Sequence, residues 1–453
     1  MNSLDHTHDA SARSWLASAN AEGTDFPIQN LPFAVFRRAG EAFRGGVAIG
    51  DQVLDLAALA RSGRIVDGDP AAKAVAAAAQ PALNEFLALG PSAWRALRHA
   101  LFALLRRDAG PMKMAAVQAC LVPQAEVEYT LPTRIGNYTD FYTSYHHAHN
   151  IGRLFSNADE VVSPNFHWIP SAYHGRASSV IVSGTPVRRP LGQAKAPDAA
   201  VPNFGPCARL DYELELGLVV GQGNALGAPV PLREAESHLF GVCLLNDWSA
   251  RDIQGWEMQP LGPFQAKNFS TSVSPWIVTM DALAPYRLPW MRDAKWPQPL
   301  AYLDATANRE QGAIDIRLET FLESARRRMR GAGPVRIAST SFKHQHWTVA
   351  QMLTHHTIGG CNLLPGDLLG TGTISGPSAA ESGAMMELTQ AGRAPLRFDD
   401  GAGQTEERAF LADGDAVIFK GWCEKPGFAR IGFGECRGEV LPALPLSAAG
   451  MGD

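Results

Sequence analysis

The clearest hydrophobic pattern in the chain is an alternation with a period of two between residues 210 and 220. Apolar side chains occupy every second position of this stretch: Tyr212, Leu214, Leu216 and Leu218. A period of two predicts a β-strand, so the three acids at the intervening positions, Asp211, Glu213 and Glu215, share the opposite face. Adjacent carboxylates repel each other and stay partly protonated unless a cation lies among them. The pattern therefore predicts a cation site or, as the simpler alternative, an acidic strand face in contact with solvent.

Two kinds of pattern divide the chain into an N-terminal and a C-terminal part. Residues 46–56 predict two short strands joined by a Gly-Asp turn, and the Ala-rich residues 70–80 predict a helix. Later apolar runs, such as 180–183 and 416–419, lie next to turns of Gly, Pro and Asp, which is typical of a β-rich domain. We therefore expect a mainly β fold with α+β elements, with a flexible lead-in at 1–24, a small domain at 25–122 and a larger domain at 123–453.

The composition excludes several classes of protein. The 453 residues include 40 Lys and Arg against 45 Asp and Glu, and the formal net charge of −5 predicts no basic surface for nucleic acid or for an anionic membrane. The N-terminus lacks the basic start and apolar core of a signal peptide, and no apolar run is long enough for a membrane span. The six cysteines form no CxxC pair, which favours free thiols in a reducing cytoplasm.

Two further acids lie among apolar and aromatic residues. Asp140 lies in the segment GNYTDFY and Asp247 in the segment GVCLLNDWS. A buried carboxylate without a partner is costly, although a turn or capping role would satisfy either acid alone. Together with the acids of the 210–220 strand they form a set of oxygen ligands, which favours Mg²⁺ or Ca²⁺ over zinc.

Groups suited to proton transfer and to anion stabilisation occur in the same part of the chain. His146 and His147 are candidate general bases, and Glu387, on a predicted strand, is a candidate orienting partner. Structural packing is the alternative for the two histidines, and the rival pair at 355–356 follows a helical pattern that predicts packing. Three side chains are candidate donors to an oxyanion or a carbanion beside a metal: Arg251, Gln254 and Lys267.

Four long and uncommon motifs stand out: YTDFY at 138–142, YHGRASSV at 173–180, NDWSARDIQ at 246–254 and TGTISGP at 371–377. Together with residues 25–32 and 441–444, they make the chain resemble the fumarylacetoacetate hydrolase family from end to end. The resemblance implies an N-terminal SH3-like barrel and a C-terminal, catalytic domain built as a mixed β-sandwich roll, with two copies of the chain paired as a homodimer. It also implies a hydrolase that splits the carbon–carbon bond of the diketo acid 4-fumarylacetoacetate into fumarate and acetoacetate, the last step of tyrosine and phenylalanine breakdown.

The resemblance further implies a role for each matching residue of this sequence. The metal ligands fall on Asp140, Glu213, Glu215 and Asp247, which leaves Asp211 outside the ligand set. A second magnesium site falls near Lys267 and Thr271, although a lysine ammonium cannot ligate a metal. The general base falls on His147 with Glu387 as its partner, and the groups that hold the developing anion fall on Arg251, Gln254 and Lys267. The positions that contact substrate fall on Tyr142, Tyr173, Gln254 and Thr373.

Two positions depart from the family pattern and leave the exact substrate open. Ser156 replaces a substrate-binding arginine, and Met258 replaces a substrate-binding tyrosine. We expect Arg153 to anchor a substrate carboxylate instead, because three residues span about one helical turn. The alternatives are a hydrolase of another diketo acid, such as an acylpyruvate or an acylacetoacetate, and a non-catalytic protein that only holds a metal. A decarboxylase or isomerase of the wider superfamily would not need the N-terminal domain.

Overall fold

The computed structural model describes residues 4–66 and 68–445. A small N-terminal domain contains one antiparallel sheet, and a larger C-terminal domain contains two main sheets. This architecture confirms the predicted sheet-rich fold with two domains of unequal size. No helix within the described ranges is both long and apolar enough to cross a membrane.

The described residues of the N-terminal domain form a five-stranded antiparallel sheet and five α-helices. In spatial order the strands are Leu121–Pro123, Gln52–Asp55, Arg44–Ile49, Phe33–Arg38 and Val127–Thr130. The helices are Leu56–Arg61, Ala72–Ala78, Asn84–Ala88, Pro91–Leu105 and Pro111–Gln118. The last strand ends at Thr130, so the domain extends beyond the predicted boundary at 122, which would cut through an edge strand.

Residues 4–24, predicted as a flexible lead-in, pack against the N-terminal domain. Asp5 caps the short 3₁₀ helix His6–His8, and its Oδ2 lies 2.7 Å from Nε2 of His99. The buried guanidinium of Arg98 donates a hydrogen bond to Oγ1 of Thr7 at 2.9 Å. The prediction of flexibility is therefore wrong for the described part of this segment, because its polar side chains find partners on the Pro91–Leu105 helix.

Two sheets form the frame of the C-terminal domain. In spatial order the mixed sheet contains Ala172–Gly175, Tyr138–Phe141, Leu368–Gly370, Leu214–Val220, Leu239–Asp247, Thr271–Val273 and Val180–Val182, with Val278–Thr279 also paired to Leu239–Asp247. The second sheet contains Val335–Ser341, Arg317–Glu323, Ala416–Cys423, Ile431–Leu441 and Val187–Arg188. Two-stranded ribbons pair Leu191–Ala194 with Asn203–Pro206, Leu210–Asp211 with Ser249–Ala250, Arg287–Leu288 with Ala313–Ile314, and Leu396–Asp399 with Thr405–Arg408. The helices are Tyr145–Phe155, Arg251–Glu257, Thr306–Gln311, Ala325–Met329, Val349–Thr357 and Met385–Leu388.

The mixed sheet is buried on both faces. Leu214, Leu216 and Leu218 belong to the core shared with the second sheet, whereas Val219 belongs to the core shared with the N-terminal domain. The two C-terminal sheets lie so close that a Cβ added to Gly421 would be 3.0 Å from the side chain of Leu244. Burial on both faces explains why the strand Leu239–Asp247 has a nearly continuous apolar sequence instead of an alternation.

Candidate active site

Four buried carboxylates meet at one edge of the mixed sheet: Asp140, Glu213, Glu215 and Asp247. Each offers one oxygen atom, and these four atoms lie within 4.8 Å of one another. Asp140 and Asp247 lie at the carboxyl ends of their strands, Glu215 lies at the amino end of the strand Leu214–Val220, and Glu213 immediately precedes that strand. The antiparallel pairing therefore brings residues from distant parts of the sequence to the same edge.

A glycine leaves the space among these acids open. The strand Leu368–Gly370 runs between the strand of Asp140 and the strand of Glu215. A Cβ added to Gly370 would lie 2.8 Å from Oδ1 of Asp140 and 3.0 Å from Oε2 of Glu215. Any side chain at this position would fill the space on which the carboxylates converge, so Gly370 preserves a cradle for a small ligand.

Two buried cations contact one side of the cradle. The ammonium of Lys267 forms ion pairs with Glu213 and with Asp247, the latter at 2.7 Å. Nη1 of Arg251 lies 2.8 Å from Oε1 of Glu213. Burial opposes ionisation of Glu213, yet Lys267 and Arg251 hold its pKa below the ordinary value. Glu213 is therefore a carboxylate with its counter-charges already present.

The other side of the cradle, formed by Asp140 and Glu215, has no cationic side chain in contact with it among the described residues. Burial, followed by repulsion from Asp247, raises the pKa of Asp140 well above its ordinary value. Burial and the neighbouring Asp140 raise the pKa of Glu215 in the same way. Oδ1 of Asp140 and Oε1 of Glu215 are buried and find no hydrogen-bond partner in the described part of the chain. A hard divalent cation fits this set, because it prefers oxygen ligands and would neutralise the excess negative charge.

The two residues predicted near a second metal site contact the same acid. Lys267 lies against Asp247 as a counter-ion, since its ammonium has no lone pair to offer a metal. Oγ1 of Thr271 donates a hydrogen bond to Oδ1 of Asp247 at 3.1 Å. In this structure both side chains therefore orient a carboxylate of the cradle.

A buried histidine–carboxylate pair lies beside the cradle. Nδ1 of His147 donates to Oε2 of Glu387 at 2.8 Å. Glu387 also accepts hydrogen bonds from Asn150 at 2.8 Å and from Ser375 at 2.9 Å. These contacts fix the carboxylate and leave Nε2 of His147 as the ring nitrogen available for proton transfer. The sequence analysis did not identify Ser375 as a residue that positions Glu387, although Ser375 lies in the TGTISGP motif.

Asp211 supports this pair and does not join the cradle. Its carboxylate accepts hydrogen bonds from the backbone N–H groups of Met385 and Met386 at 2.9 and 3.0 Å, and from Nε of Arg251 at 2.9 Å. The strand is interrupted after Asp211, so the alternation does not keep all three acids on one face. Glu387 lies in the short helix Met385–Leu388, which corrects its prediction as a strand residue.

A cleft of about 520 Å³ opens onto the cradle and onto His147. Four of the side chains predicted to contact substrate line the cleft: Tyr142, Tyr173, Gln254 and Thr373. The fifth, Arg153, does not. The hydroxyl of Tyr173 donates to Oδ2 of Asp247 at 3.0 Å. The cleft thus combines a candidate metal site, a base and anion-binding donors in one space.

The other histidines of the sequence analysis do not line this cleft. The ring of His146 packs against His344 with centroids 6.1 Å apart. In the Val349–Thr357 helix, Nδ1 of His355 lies 3.0 Å from the hydroxyl of Tyr302, and Nε2 of His356 lies 2.9 Å from Oγ1 of Thr139. The packing predicted for the pair at 355–356 is confirmed.

Comparison with known proteins accounts for both domains. Residues 29–132 match the family described as "Fumarylacetoacetase N-terminal", and residues 137–441 match the family described as "Fumarylacetoacetate (FAA) hydrolase C-terminal". The chain belongs to the fumarylacetoacetate hydrolase family.

Relatives within this family resemble the chain over nearly its whole length. The fumarylacetoacetase of Homo sapiens is 47% identical over 434 residues, which cover 94% of this chain and 98% of the relative. The fumarylacetoacetase of Oryza sativa subsp. japonica is 46% identical over 431 residues, which cover 94% and 96%. A solved fumarylacetoacetate hydrolase from Exiguobacterium antarcticum has a TM-score of 0.50 at 18% identity, covers 91% of this chain and 99% of its own, and supports the fold.

One expectation about the cleft, drawn from the spacing of Arg153 and Ser156, is not met in this structure. Arg153 is exposed, does not line the cleft, and donates a hydrogen bond to the carbonyl oxygen of Ala158 at 2.7 Å. The cleft is lined instead by His147, Ile151 and Phe155, which recur at four-residue intervals along the Tyr145–Phe155 helix. Ser156 has extended backbone and lies beyond the helix end, so a separation of three residues does not place Arg153 over it.

Proposed function

We propose that this protein is a fumarylacetoacetase, which hydrolyses 4-fumarylacetoacetate to fumarate and acetoacetate at the end of tyrosine breakdown. The observation that carries the proposal is the placement of the His147–Glu387 pair and the four-carboxylate cradle on one cleft. The relatives named as fumarylacetoacetases, which align over 94% of the chain, support the same reaction. A protein that only holds a metal would have no use for a buried, oriented base.

The cradle is the proposed site of Mg²⁺ or Ca²⁺, with Asp140, Glu213, Glu215 and Asp247 as ligands. When bound, such an ion supplies Lewis-acid polarisation of the oxygens of a 1,3-diketone. Lys267 and Tyr173 hold Asp247 in place through its Oδ2 atom. The unpartnered oxygens of Asp140 and Glu215 are the ones that gain most from a cation.

His147 acts as the general base in this proposal. Nε2 of His147 takes a proton from water, and the oxygen of that water attacks the substrate carbonyl at the fumaryl side of the bond that breaks. Glu387 stabilises the imidazolium that forms and holds the ring in the required orientation. Burial of both side chains keeps this proton transfer away from solvent.

Three donors at the floor of the cleft stabilise the anion that forms when the bond breaks. The leaving carbon is α to a carbonyl, so its negative charge is delocalised as an enolate before the carbon takes up a proton. Nη2 of Arg251 is buried and finds no partner among the described residues, which leaves it available to this charge. Gln254, which accepts from Arg251 at 3.2 Å, and Lys267 complete the set.

Incubation of the purified protein with 4-fumarylacetoacetate tests the proposal. We expect fumarate and acetoacetate in equal amounts, loss of turnover with a chelator, and recovery when Mg²⁺ or Ca²⁺ is restored. Protein that binds the metal and yields no fumarate would contradict the proposed activity and favour the non-catalytic alternative.

We also propose that the protein acts as a homodimer, as the family resemblance implies, and that it works in the cytoplasm, as its cysteine usage suggests. Six free cysteines, five of them buried, are compatible with a reducing compartment. Light scattering coupled to size-exclusion chromatography tests the first statement, and cell fractionation tests the second.

A further inference from the structure

The cleft changes from polar to apolar along the helix that carries the base. His147, Ile151 and Phe155 lie on one face of the Tyr145–Phe155 helix, and a rise of 1.5 Å per residue separates the first from the last by about 12 Å. His147 is 3% exposed and Phe155 is 71% exposed. The helix therefore leads from the reactive floor of the cleft to its mouth.

A second helix repeats this arrangement on another wall. Arg251 and Gln254 belong to the Arg251–Glu257 helix, and Met258 caps its carboxyl end. All three line the cleft, and exposure rises from 8% at Arg251 to 44% at Met258. Four side chains make up what we call the apolar mouth: Ile151, Phe155, Met258 and Pro263.

The cationic groups that line the cleft lie at its floor. Arg251 pairs with Asp211 and Glu213, and Lys267 pairs with Glu213 and Asp247. The apolar mouth contains no charged group among the described residues, since Arg153 binds the carbonyl oxygen of Ala158 outside the cleft. Among the described residues that line the cleft, cationic side chains that could face a substrate carboxylate therefore lie only at the floor, whereas 4-fumarylacetoacetate carries a carboxylate at each end.

We propose that the apolar mouth is a subsite for an uncharged substituent. The enzyme then cleaves 1,3-diketo acids with one carboxylate and an apolar far end at least as efficiently as 4-fumarylacetoacetate. An alkyl group in the mouth removes apolar surface from water, whereas a carboxylate there loses hydration without gaining a partner. This inference rests on the proposed function and specifies its substrate class.

The chemical step is the hydrolysis already described, with the same balance of atoms. The oxygen of water bonds to the acyl carbon, and the carbon–carbon bond breaks with its electron pair on the methylene carbon. That carbon takes up a proton, and the products are a carboxylic acid and a methyl ketone. No oxidant, reductant or further reactant is needed.

Two homologous series of compounds test which end of the substrate occupies the mouth. The 3,5-dioxoalkanoates keep the acetoacetate carboxylate and carry an alkyl chain in place of the fumaryl group. The 4,6-dioxoalk-2-enoates keep the fumaryl carboxylate and carry an alkyl chain at the other end. In one series we expect kcat/KM to rise about tenfold per added methylene until the mouth is filled, and to reach or exceed the value for 4-fumarylacetoacetate.

Failure of the subsite and failure of the proposed function give different results. If the wild-type protein cleaves 4-fumarylacetoacetate and kcat/KM for both alkyl series is lower by about 100-fold or more, the apolar subsite is refuted and the proposed function stands. Protein that cleaves none of the compounds overturns both.

A substitution at the mouth provides an independent test. Met258→Arg places a cation where the wild type has none, so the ratio of kcat/KM for 4-fumarylacetoacetate to that for the best alkyl compound should rise about tenfold or more. Met112→Arg, at an exposed methionine of the N-terminal domain, is the matched control and should leave this ratio unchanged. An unchanged ratio in a folded Met258→Arg variant overturns the subsite.

Discussion

Replacing Glu387 by glutamine isolates the contribution of one charge to the proposed base. Glu387 accepts hydrogen bonds from His147, Asn150 and Ser375 and donates none while it is ionised. Glutamine has nearly the same shape, but it is neutral, and one of its two terminal atoms is a donor. In Glu387→Gln at least one of the three donors therefore faces another donor, and the imidazolium of His147 loses its counter-charge.

The structure sets the magnitude of this effect. A hydrogen bond to a charged group contributes about 1.5–3 kcal/mol, and the pair is buried, so solvent does not screen it. Because about 1.4 kcal/mol corresponds to a tenfold change in rate, kcat should fall by about 10- to 150-fold. KM should change little, since Glu387 does not line the cleft.

Steady-state hydrolysis of 4-fumarylacetoacetate, followed by the loss of its diketone absorbance, measures this prediction. Glu381→Gln is the matched control, because Glu381 caps the short 3₁₀ helix Ala379–Glu381 by binding Ser378 and does not line the cleft. Thermal unfolding and Mg²⁺ titration show whether each variant is folded. An unchanged kcat in a folded Glu387→Gln variant would refute the assignment of Glu387 as the partner of the base.

Three further predictions concern the base, the cation and the residue outside the cleft. His147→Ala should abolish turnover while Mg²⁺ binding, measured by calorimetry, persists, and His146→Ala should have a milder effect because His146 packs outside the cleft. In chelated protein, burial and neighbouring acids raise the pKa of Asp140 and of Glu215, so the folded state keeps protons that the unfolded chain releases. The melting temperature of the chelated protein, followed by scanning fluorimetry, should therefore fall as pH rises above the ordinary carboxylate range. Added Mg²⁺ should remove this pH dependence of the melting temperature. Arg153→Ala should leave KM unchanged, and a large rise in KM would show that Arg153 swings into the cleft.

Local patterns predicted the elements that local chemistry controls. The strands expected at 46–56, 180–183 and 416–419 and the helix expected at 70–80 are present. Arg251 and Gln254 share a helix face, as their spacing of three predicts. Local patterns gave wrong predictions where contacts between distant residues determine the structure. Residues 4–24 have the polar composition of a mobile segment, but their side chains form hydrogen bonds with the Pro91–Leu105 helix.

The sequence by itself determined the residue types of the site and the family to which the chain belongs. It supplied the oxygen ligands, the histidine pair and the motifs, because side-chain chemistry and local periodicity are properties of the chain alone. Only the tertiary structure decided which acids converge. Pairing of distant strands brings Asp140 and Asp247 to Glu213 and Glu215, and the interruption after Asp211 turns that carboxylate toward Arg251.

The tertiary structure also decided the shape and polarity of the cleft. Gly370 is unremarkable in the sequence, yet its missing side chain leaves room for the carboxylates of the cradle. Arg153 is a cation three residues from Ser156, yet the direction of its side chain removes it from the cleft and leaves Phe155 and Met258 at the mouth. Composition and spacing cannot specify such features, because they depend on the position and direction of side chains that are distant in sequence and adjacent in space.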